Sequence, residues 1–169
     1  MTKTAKKKCL VIVGNLAAGK SSVCQLFVAR FEEFTHLSLD TWRHVALGVG
    51  QAREQAAQSA ALNLVSDEHP NIIFETVGTG RFFDKAIRLL LSRGYEIQMV
   101  HLVCDADTCL RRFYQRAYDG YQLPPYPYAF KPQEAVRFIA SAHRELVFKR
   151  VFDMEELTPQ NVVDSLIHI

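Results

Sequence analysis

The segment that most constrains this chain is a glycine loop at residues 14–21. Its sequence is Gly-Asn-Leu-Ala-Ala-Gly-Lys-Ser, which matches the pattern G-x-x-x-x-G-K-[ST] at every defined position. An uninterrupted apolar run, residues 9–13, comes directly before it, and apolar residues at helical spacing follow from Val23 to Phe34. The sequence therefore predicts a buried strand, a tight loop and an amphipathic helix in direct succession.

Such a loop is suited to phosphate, because its backbone N–H groups converge on phosphate oxygens and the following helix adds partial positive charge. We expect it to bind ATP rather than GTP, since the sequence lacks the Asn-Lys-x-Asp motif of a GTPase switch. Lys20 would neutralise the β and γ phosphates, and the Ser21 hydroxyl would ligate Mg²⁺. The predicted nucleotide-binding residues are Gly14, Asn15, Leu16, Ala17, Ala18, Gly19, Lys20, Ser21 and Ser22. A turn that only joins strand to helix is the alternative, but it would not need Lys20 beside Ser21.

Strand and helix patterns alternate along the rest of the chain. Further strands are predicted at residues 36–39, 71–76, 95–104 and 151–154. Helices are predicted at residues 41–65 with a break near Gly48 and Gly50, at 81–93, around 110–116, at 133–149 and after Thr158. This alternation predicts an α/β fold of three layers, the P-loop NTPase fold, with a mainly parallel five-stranded sheet and helices on both faces. Ligands of such sheets bind beyond the carboxyl ends of the strands.

Length and composition limit the classes of protein to which this chain can belong. With 169 residues, 49% of them hydrophobic, the chain has the size of one domain with a full core. We predict a basic, disordered tail at residues 1–8, which contains Lys3, Lys6, Lys7 and Lys8, and a single domain at residues 9–169. A net charge of +2 gives only weak support for nucleic acid as a partner. Four cysteines without a Cys-x-x-Cys pair, and no apolar run of membrane-spanning length, predict a cytoplasmic protein with no membrane partner.

A carboxylate and an arginine follow the second predicted strand. Asp40 stands at its carboxyl end, and Arg43 lies three residues later, so the two can share one helix face. When a hydroxyl attacks a phosphoryl group, a carboxylate beside it takes or orients its proton, and an arginine can grip an anionic substrate. Asp40 is therefore the candidate base and, with Ser21, a candidate magnesium ligand; Arg43 is a candidate substrate contact. The alternative is that Asp40 caps the next helix and Arg43 is solvated.

The third predicted strand also ends in a carboxylate, Glu75. A carboxylate at this place is expected to face magnesium, its waters or the substrate, while a structural ion pair is the alternative. Arg81 begins the next predicted helix and is a candidate substrate contact, although an ordinary turn before a helix explains it equally well.

Arg111, Arg112 and Arg116 lie on one predicted helix, and the last two are four residues apart. Such arginines would spread the negative charge of a transferred phosphoryl group and close over it as a lid, at about residues 107–131. We predict Arg112 and Arg116 to be catalytic, together with Lys20 and Asp40; a solvated basic helix face is the alternative. The loop at residues 118–132 is rich in Tyr and Pro, and it either stacks on a ligand or packs onto the body of the domain.

With these residues in place, the chain resembles the small P-loop kinases related to zeta toxins and polynucleotide kinases. The shared features are the glycine loop, Ser38-Leu39-Asp40-x-x-Arg43, Phe74-Glu75-Thr76, Gly94-Tyr95-Glu96-Ile97, and Leu110-Arg111-Arg112 with Arg116. The resemblance implies that Asp40 is the acceptor-activating base, that Arg43 contacts the substrate, and that Arg112 and Arg116 are lid arginines. The chain departs from zeta toxins in being shorter, without the insertions that build their sugar-nucleotide pocket, and in its tyrosine-rich loop after the lid.

The leading hypothesis is an ATP-dependent kinase that transfers the γ-phosphate of Mg-ATP to a hydroxyl of a small molecule or nucleotide. A polynucleotide 5′-hydroxyl kinase would need a positive channel for phosphates, which the modest net charge supports weakly. A nucleotide-binding switch, which binds without transfer, is the hypothesis from another class. The sequence names neither the acceptor nor the oligomeric state.

Overall fold

One parallel sheet forms the centre of the molecule. The structure, a computed structural model, describes residues 6–167, and within them the strands are β1 (Lys8–Gly14), β2 (Thr35–Ser38), β3 (Asn71–Thr76), β4 (Glu96–Val103) and β5 (Arg150–Asp153). They lie in the order β2-β3-β1-β4-β5, and every neighbouring pair is parallel. The central position of β1 follows from its sequence, since residues 9–13 are apolar and at most 1% exposed on both faces of the sheet.

Helices cover both faces of this sheet. In the same residues they are α1 (Lys20–Arg30), α2 (Leu39–Val45), α3 (Gly50–Asn63), α4 (Arg81–Ser92), α5 (Ala106–Tyr118), α6 (Pro132–Ala142) and α7 (Pro159–Ser165), with a 3₁₀ turn at His143–Glu145. Side chains of β1 alternate between two core clusters, one shared with α3 and α4 and the other with α1 and α7. The prediction of a three-layer α/β P-loop fold is confirmed, and the sheet is parallel throughout.

Some predicted bounds differ from the observed ones. The helix predicted at residues 41–65 is divided into α2 and α3, with positive φ at Gly48 and Gly50 as the break indicated. The helix predicted at residues 133–149 ends at Ala142 and continues as the 3₁₀ turn. Residues 146–149 are not helical, and Leu146 and Phe148 pack on the core there. The apolar residues Leu146 and Phe148 therefore indicated burial in the core and not a continued helix.

The second strand ends one residue earlier than the sequence indicates. Residues 36–39 were the expected strand, whereas β2 ends at Ser38 and Leu39 begins α2. Asp40 consequently lies in the first turn of a helix, three residues before Arg43 on the same face.

The amino-terminal lysines are also placed differently from the prediction. Strand β1 begins at Lys8, inside the expected tail, and the Lys7 side chain is 19% exposed and pairs with Asp67. Lys6 pairs with Glu96 at 2.6 Å. The predicted tail therefore extends too far at Lys8, which belongs to a strand, and the Lys7 side chain is largely covered, whereas Lys6 and Lys8 are exposed as expected. Lys3 and the rest of residues 1–5 lie outside the described part of the chain.

Two observations bear on the expected environment of the chain. Cys9, Cys24, Cys104 and Cys109 are free thiols. Among residues 6–167, no helix is both long enough and apolar enough to cross a membrane.

Candidate active site

The glycine loop leaves the centre of the sheet between β1 and α1. Its backbone takes left-handed conformations at Ala17, with φ of 52°, and at Gly19, with φ of 95°. A Cβ at Gly14 would lie 3.1 Å from the carbonyl oxygen of Leu102, so the close packing of the loop on β4 favours glycine there. The loop thus presents backbone rather than side chains to the space in front of α1, as a phosphate cradle requires.

Asn15 holds the loop in place. Its side chain is buried, its Nδ2 donates to the carbonyl of Val136 on α6 at 2.9 Å, and its Oδ1 accepts from the N–H of Leu16 at 2.8 Å. The contact of Asn15 with nucleotide stays a prediction, and with the side chain engaged in this way it would have to come from the backbone. The anchoring role of its side chain was not predicted, because the sequence does not indicate that α6 lies beside the loop.

Lys20 extends along the loop and donates from Nζ to the carbonyl of Asn15 at 2.8 Å. Burial lowers the pKa of this amine, and the nearby carboxylates of Glu75 and Asp40 act in the opposite direction. The charged form is thus held in a desolvated site by carboxylates, an environment in which phosphate oxygens would stabilise it further.

Ser21 and Glu75 meet at the carboxyl ends of β1 and β3. The Ser21 hydroxyl lies 2.5 Å from Oε1 of Glu75, and Nε2 of His36 lies 3.0 Å from Oε2. Burial raises the pKa of Glu75, but the hydrogen bond with His36 and the charge of Lys20 outweigh it and hold that pKa below the ordinary range. An ionised carboxylate beside a hydroxyl is the hard oxygen pair that Mg²⁺ prefers, so these residues fit that ion. Ligand atoms of Cys24, His36 and Glu75 also lie within 4.8 Å of one another.

Asp40 and Arg43 form an ion pair, and Arg43 has a second carboxylate partner. The Arg43 guanidinium donates from Nη1 to Oδ1 of Asp40 at 2.8 Å, and from Nε and Nη2 to both oxygens of Glu54 at 2.8 and 2.7 Å. Glu54 is buried, whereas the Asp40 side chain is 47% exposed. The fork-to-fork pair with Glu54 was not predicted, since Glu54 lies on α3 and only the packing of α3 against α2 brings it to Arg43.

A cavity of about 450 Å³ opens beside these residues, here called the acceptor cavity. Lys20, Asp40, Arg43, Glu75 and Arg81 line it, and so do aromatic residues of the loop after α5. The sequence left open whether this tyrosine-rich loop meets a ligand or packs on the body. Tyr126 packs on the body, since its ring lies 4.8 Å from the Arg43 guanidinium, and it also lines the cavity, so its contact with a ligand stays a prediction.

A second cavity of about 850 Å³, here called the donor cavity, lies on the other side of the glycine loop. Its lining combines loop residues up to Ser22, residues Arg111, Arg112 and Arg116 of α5, and residues 154–159 between β5 and α7. Arg112 donates to the carbonyl of Met154 at 2.9 Å, so it ties α5 to that connection. The sequence did not indicate residues 154–159 as part of the site, because they match no motif.

Arg116 occupies a different place from Arg112. It lines both cavities, and its guanidinium lies 4.0 Å from the ring of Tyr121. Arg111 contacts Thr108 of its own helix at 3.4 Å and lines the donor cavity alone. Arg112 and Arg116 thus both line the donor cavity, and Arg116 lines the acceptor cavity as well.

Comparisons with known proteins find one matching family and several similar solved structures. The model of the family described as Zeta toxin matches residues 1–156. A search of curated proteins finds no match. Similar solved structures include the PezAT chromosomal toxin-antitoxin system of Streptococcus pneumoniae, with 16% identity, 91% of this chain and 70% of that chain covered and a TM-score of 0.63. Shikimate kinase from Acinetobacter baumannii in complex with shikimate has 15% identity, coverage of 96% and 92% and a TM-score of 0.64. The Mycobacterium tuberculosis APS kinase CysC in complex with AMPPNP and APS has 15% identity, coverage of 98% of each chain and a TM-score of 0.63. At these identities the likeness shows the fold alone.

Proposed function

Since the chain belongs to the Zeta toxin family and has the fold of P-loop kinases, we propose that it transfers the γ-phosphate of Mg-ATP to a hydroxyl of a small molecule or nucleotide. One observation carries this proposal: Ala17, Lys20, Ser21 and Arg116 line both the donor and the acceptor cavity. A phosphoryl group that passes from one cavity to the other would cross these residues. Lys20 and Arg116 supply positive charge at this junction, which is what a transferred phosphoryl group requires.

Asp40 is the residue we assign to the acceptor hydroxyl. Arg43 donates to its Oδ1 at 2.8 Å, and among residues 6–167 no hydrogen bond reaches its Oδ2. As the acceptor oxygen bonds to the γ-phosphorus, the hydroxyl proton passes to Oδ2 of Asp40 and the bond to the bridging oxygen of ADP breaks. Arg43 orients the carboxylate through this hydrogen bond. Its pairing with two carboxylates makes it a positioning residue in this proposal rather than a grip on an anionic substrate.

The remaining residues hold and shield the donor. Ser21 and Glu75 would hold Mg²⁺, which supplies neutralising charge to the phosphates when bound. The role of Asp40 as a further magnesium ligand stays a prediction. Its ion pair with Arg43 favours the role of acceptor-activating base. Arg116 and the ring of Tyr121 lie over the junction and would limit the access of water, which would otherwise hydrolyse ATP.

The experiment that tests the function uses the full chain with Mg-ATP and pooled acceptors, namely nucleosides, sugars, sugar nucleotides, aminoglycosides and 5′-hydroxyl oligonucleotides. Mass spectrometry follows the gain of one phosphate. The wild type is compared with Asp40→Asn and with Asp84→Asn, an exposed carboxylate in the first turn of α4 that lies outside both cavities.

We expect Asp40→Asn to lower transfer by at least about 100-fold while ATP still binds, and Asp84→Asn to match the wild type. Transfer by Asp40→Asn at the wild-type rate would remove the base assignment. ATP binding without transfer to any pool would support a nucleotide-binding switch, and transfer only to oligonucleotides would support a polynucleotide 5′-hydroxyl kinase.

A further inference from the structure

The acceptor cavity presents a series of aromatic rings. Tyr128, Tyr126 and Phe130 are stacked in succession, with ring centroids 5.6 and 4.9 Å apart and interplanar angles of 19° and 23°. Tyr128 and Phe138 are 59% and 64% exposed although both line the cavity. Rings that stand open to a cavity favour an aromatic ligand, because stacking and the burial of apolar area stabilise the contact.

The charges on this side of the cavity oppose an anionic ligand. The carboxylates of Asp40 and Glu54 both accept hydrogen bonds from the Arg43 guanidinium. These three side chains together carry one net negative charge. The guanidinium face lies against Tyr126 at 4.8 Å, which leaves little of it for a ligand. Glu75 also lines the cavity, but the proposed Mg²⁺ would offset its charge.

The other cationic side chains that line the acceptor cavity lie either at its junction with the donor cavity or at an exposed position. Lys20 and Arg116 stand at the junction, where the proposed phosphates of ATP would use them. Arg81 is exposed at the first position of α4, and it has no hydrogen bond or ion pair among residues 6–167. A phosphorylated acceptor would therefore face the carboxylates of Asp40 and Glu54 with Arg81 as its available cation, and like charges at close range disfavour its binding.

From this lining we propose that the acceptor is an uncharged alcohol that carries an aromatic group, rather than a nucleotide, a sugar phosphate or a nucleic-acid end. This inference rests on the proposed phosphotransfer at the same site. The acceptor ring stacks beside Tyr128 and Phe138, and the hydroxyl lies at Asp40. Glu54 excludes anions because it neutralises Arg43, and it is a positioning residue rather than a catalytic one.

Binding is measured first, independently of transfer. Ligand-observed NMR, in the presence of a non-hydrolysable ATP analogue and Mg²⁺, compares matched sets of aryl alcohols, their carboxylated analogues and alkyl alcohols of equal size. We expect the uncharged aryl members to bind at least about tenfold more tightly than the other two. Tyr128→Ala removes this preference, whereas Tyr118→Ala, a change at an 88% exposed tyrosine outside the cavity, keeps it. Tighter binding of the carboxylated members, or equal binding of aryl and alkyl members, overturns the proposal.

Two further experiments test the proposal, namely a charge change at Glu54 and an assay of phosphate transfer from Mg-ATP. In Glu54→Gln, one carboxylate partner of Arg43 becomes neutral, and we expect the preference for uncharged over carboxylated aryl alcohols to fall by about tenfold. An unchanged preference, in a variant whose melting curve shows a folded protein, overturns the role of Glu54. If uncharged aryl alcohols bind but gain no phosphate from Mg-ATP, the acceptor class stands and the phosphotransfer proposal fails. If nucleotides or oligonucleotides gain phosphate instead, the phosphotransfer proposal stands and the acceptor class fails.

Discussion

The hydroxyl of Ser21 and the Oε1 atom of Glu75 lie 2.5 Å apart, where the first turn of α1 meets the end of β3. Residue Ile12 of β1 is in register with Glu75, so the glycine loop two residues beyond it starts directly beside this carboxylate. The central strand and its neighbour therefore place a hydroxyl and an ionised carboxylate together at one edge of the sheet. This arrangement supports the predicted role of Glu75 as a residue that faces Mg²⁺.

Replacing Glu75 by Gln keeps the shape of the side chain and removes its charge. We expect the Mg²⁺ concentration that gives half-maximal phosphotransfer to rise about 10-fold or more, since loss of a carboxylate near a metal site has an effect of this order. A magnesium titration at fixed ATP measures it. Glu68→Gln, at an exposed position outside both cavities, is the control and should keep the wild-type titration. An unchanged midpoint in a folded Glu75→Gln protein would count against a metal role.

Arg116 and Arg112 should differ in their kinetic effects. Arg116 lines both cavities, so Arg116→Met is expected to lower kcat by at least about 100-fold through loss of charge at the transferred phosphoryl group. Arg112 lines the donor cavity alone and bonds the Met154 carbonyl, so Arg112→Met is expected mainly to raise KM for ATP, by about 10-fold. Steady-state kinetics with varied ATP separates the two. Arg88→Met on the exposed side of α4 serves as the control, and equal effects on kcat would refute the distinction.

The site residues that could be predicted are those carried by local motifs. The glycine loop and Asp40 follow strands, Glu75 lies next to the last residue of β3, and parallel strands bring their carboxyl ends to one edge of the sheet. Their proximity therefore follows from the order of elements alone. The division of α2 from α3 could be predicted for the same reason, since Gly48 and Gly50 mark it locally.

The remaining contacts depend on packing between distant elements. Glu54 on α3 reaches Arg43 on α2, and Asn15 reaches Val136 on α6, across separations that no local pattern records. The contact of Arg112 with the Met154 carbonyl depends on how α5 lies against the connection between β5 and α7. Arg112 and Arg116 both line the donor cavity, as their spacing of four residues on one helix indicated, but the sequence did not show that Arg116 lines the acceptor cavity as well.

Gly78 should tolerate alanine poorly for two physical reasons. Its φ is +74°, and a Cβ would lie 2.5 Å from Cγ1 of Val13 in the core of β1. Gly94 shares the first cause, with φ of +79°, but a Cβ there meets open space, which makes it a matched control. We expect Gly94→Ala to lower the free energy of unfolding by about 1 kcal/mol and Gly78→Ala by about 2–4 kcal/mol. Urea unfolding measures both, and equal losses would show that the clash with Val13 relaxes at no cost.

The stability of the protein should fall in acid through the contact of the buried His143 with the half-buried His101. Nε2 of His143 lies 2.8 Å from the carbonyl of Val77, which only accepts, so His143 donates there. When both rings are neutral, Nδ1 of His143 accepts from Nε2 of His101 at 2.9 Å. Burial, with a smaller contribution from His143, lowers the pKa of His101 to about 4, and the pKa of His143 is lowered too.

In the unfolded chain the pKa of His101 returns to about 6.5, so between about pH 6.5 and 4 the unfolded state binds a proton that the native state does not. The free energy of unfolding should consequently be highest above pH 6.5 and fall as the pH decreases through this window, by up to about 3 kcal/mol from His101. Urea unfolding at several pH values gives the slope. His101→Gln removes the titrating ring and should flatten it, whereas His44→Gln, at an exposed position on α2, should leave it unchanged. A slope that persists undiminished in His101→Gln would place the acid sensitivity in other groups.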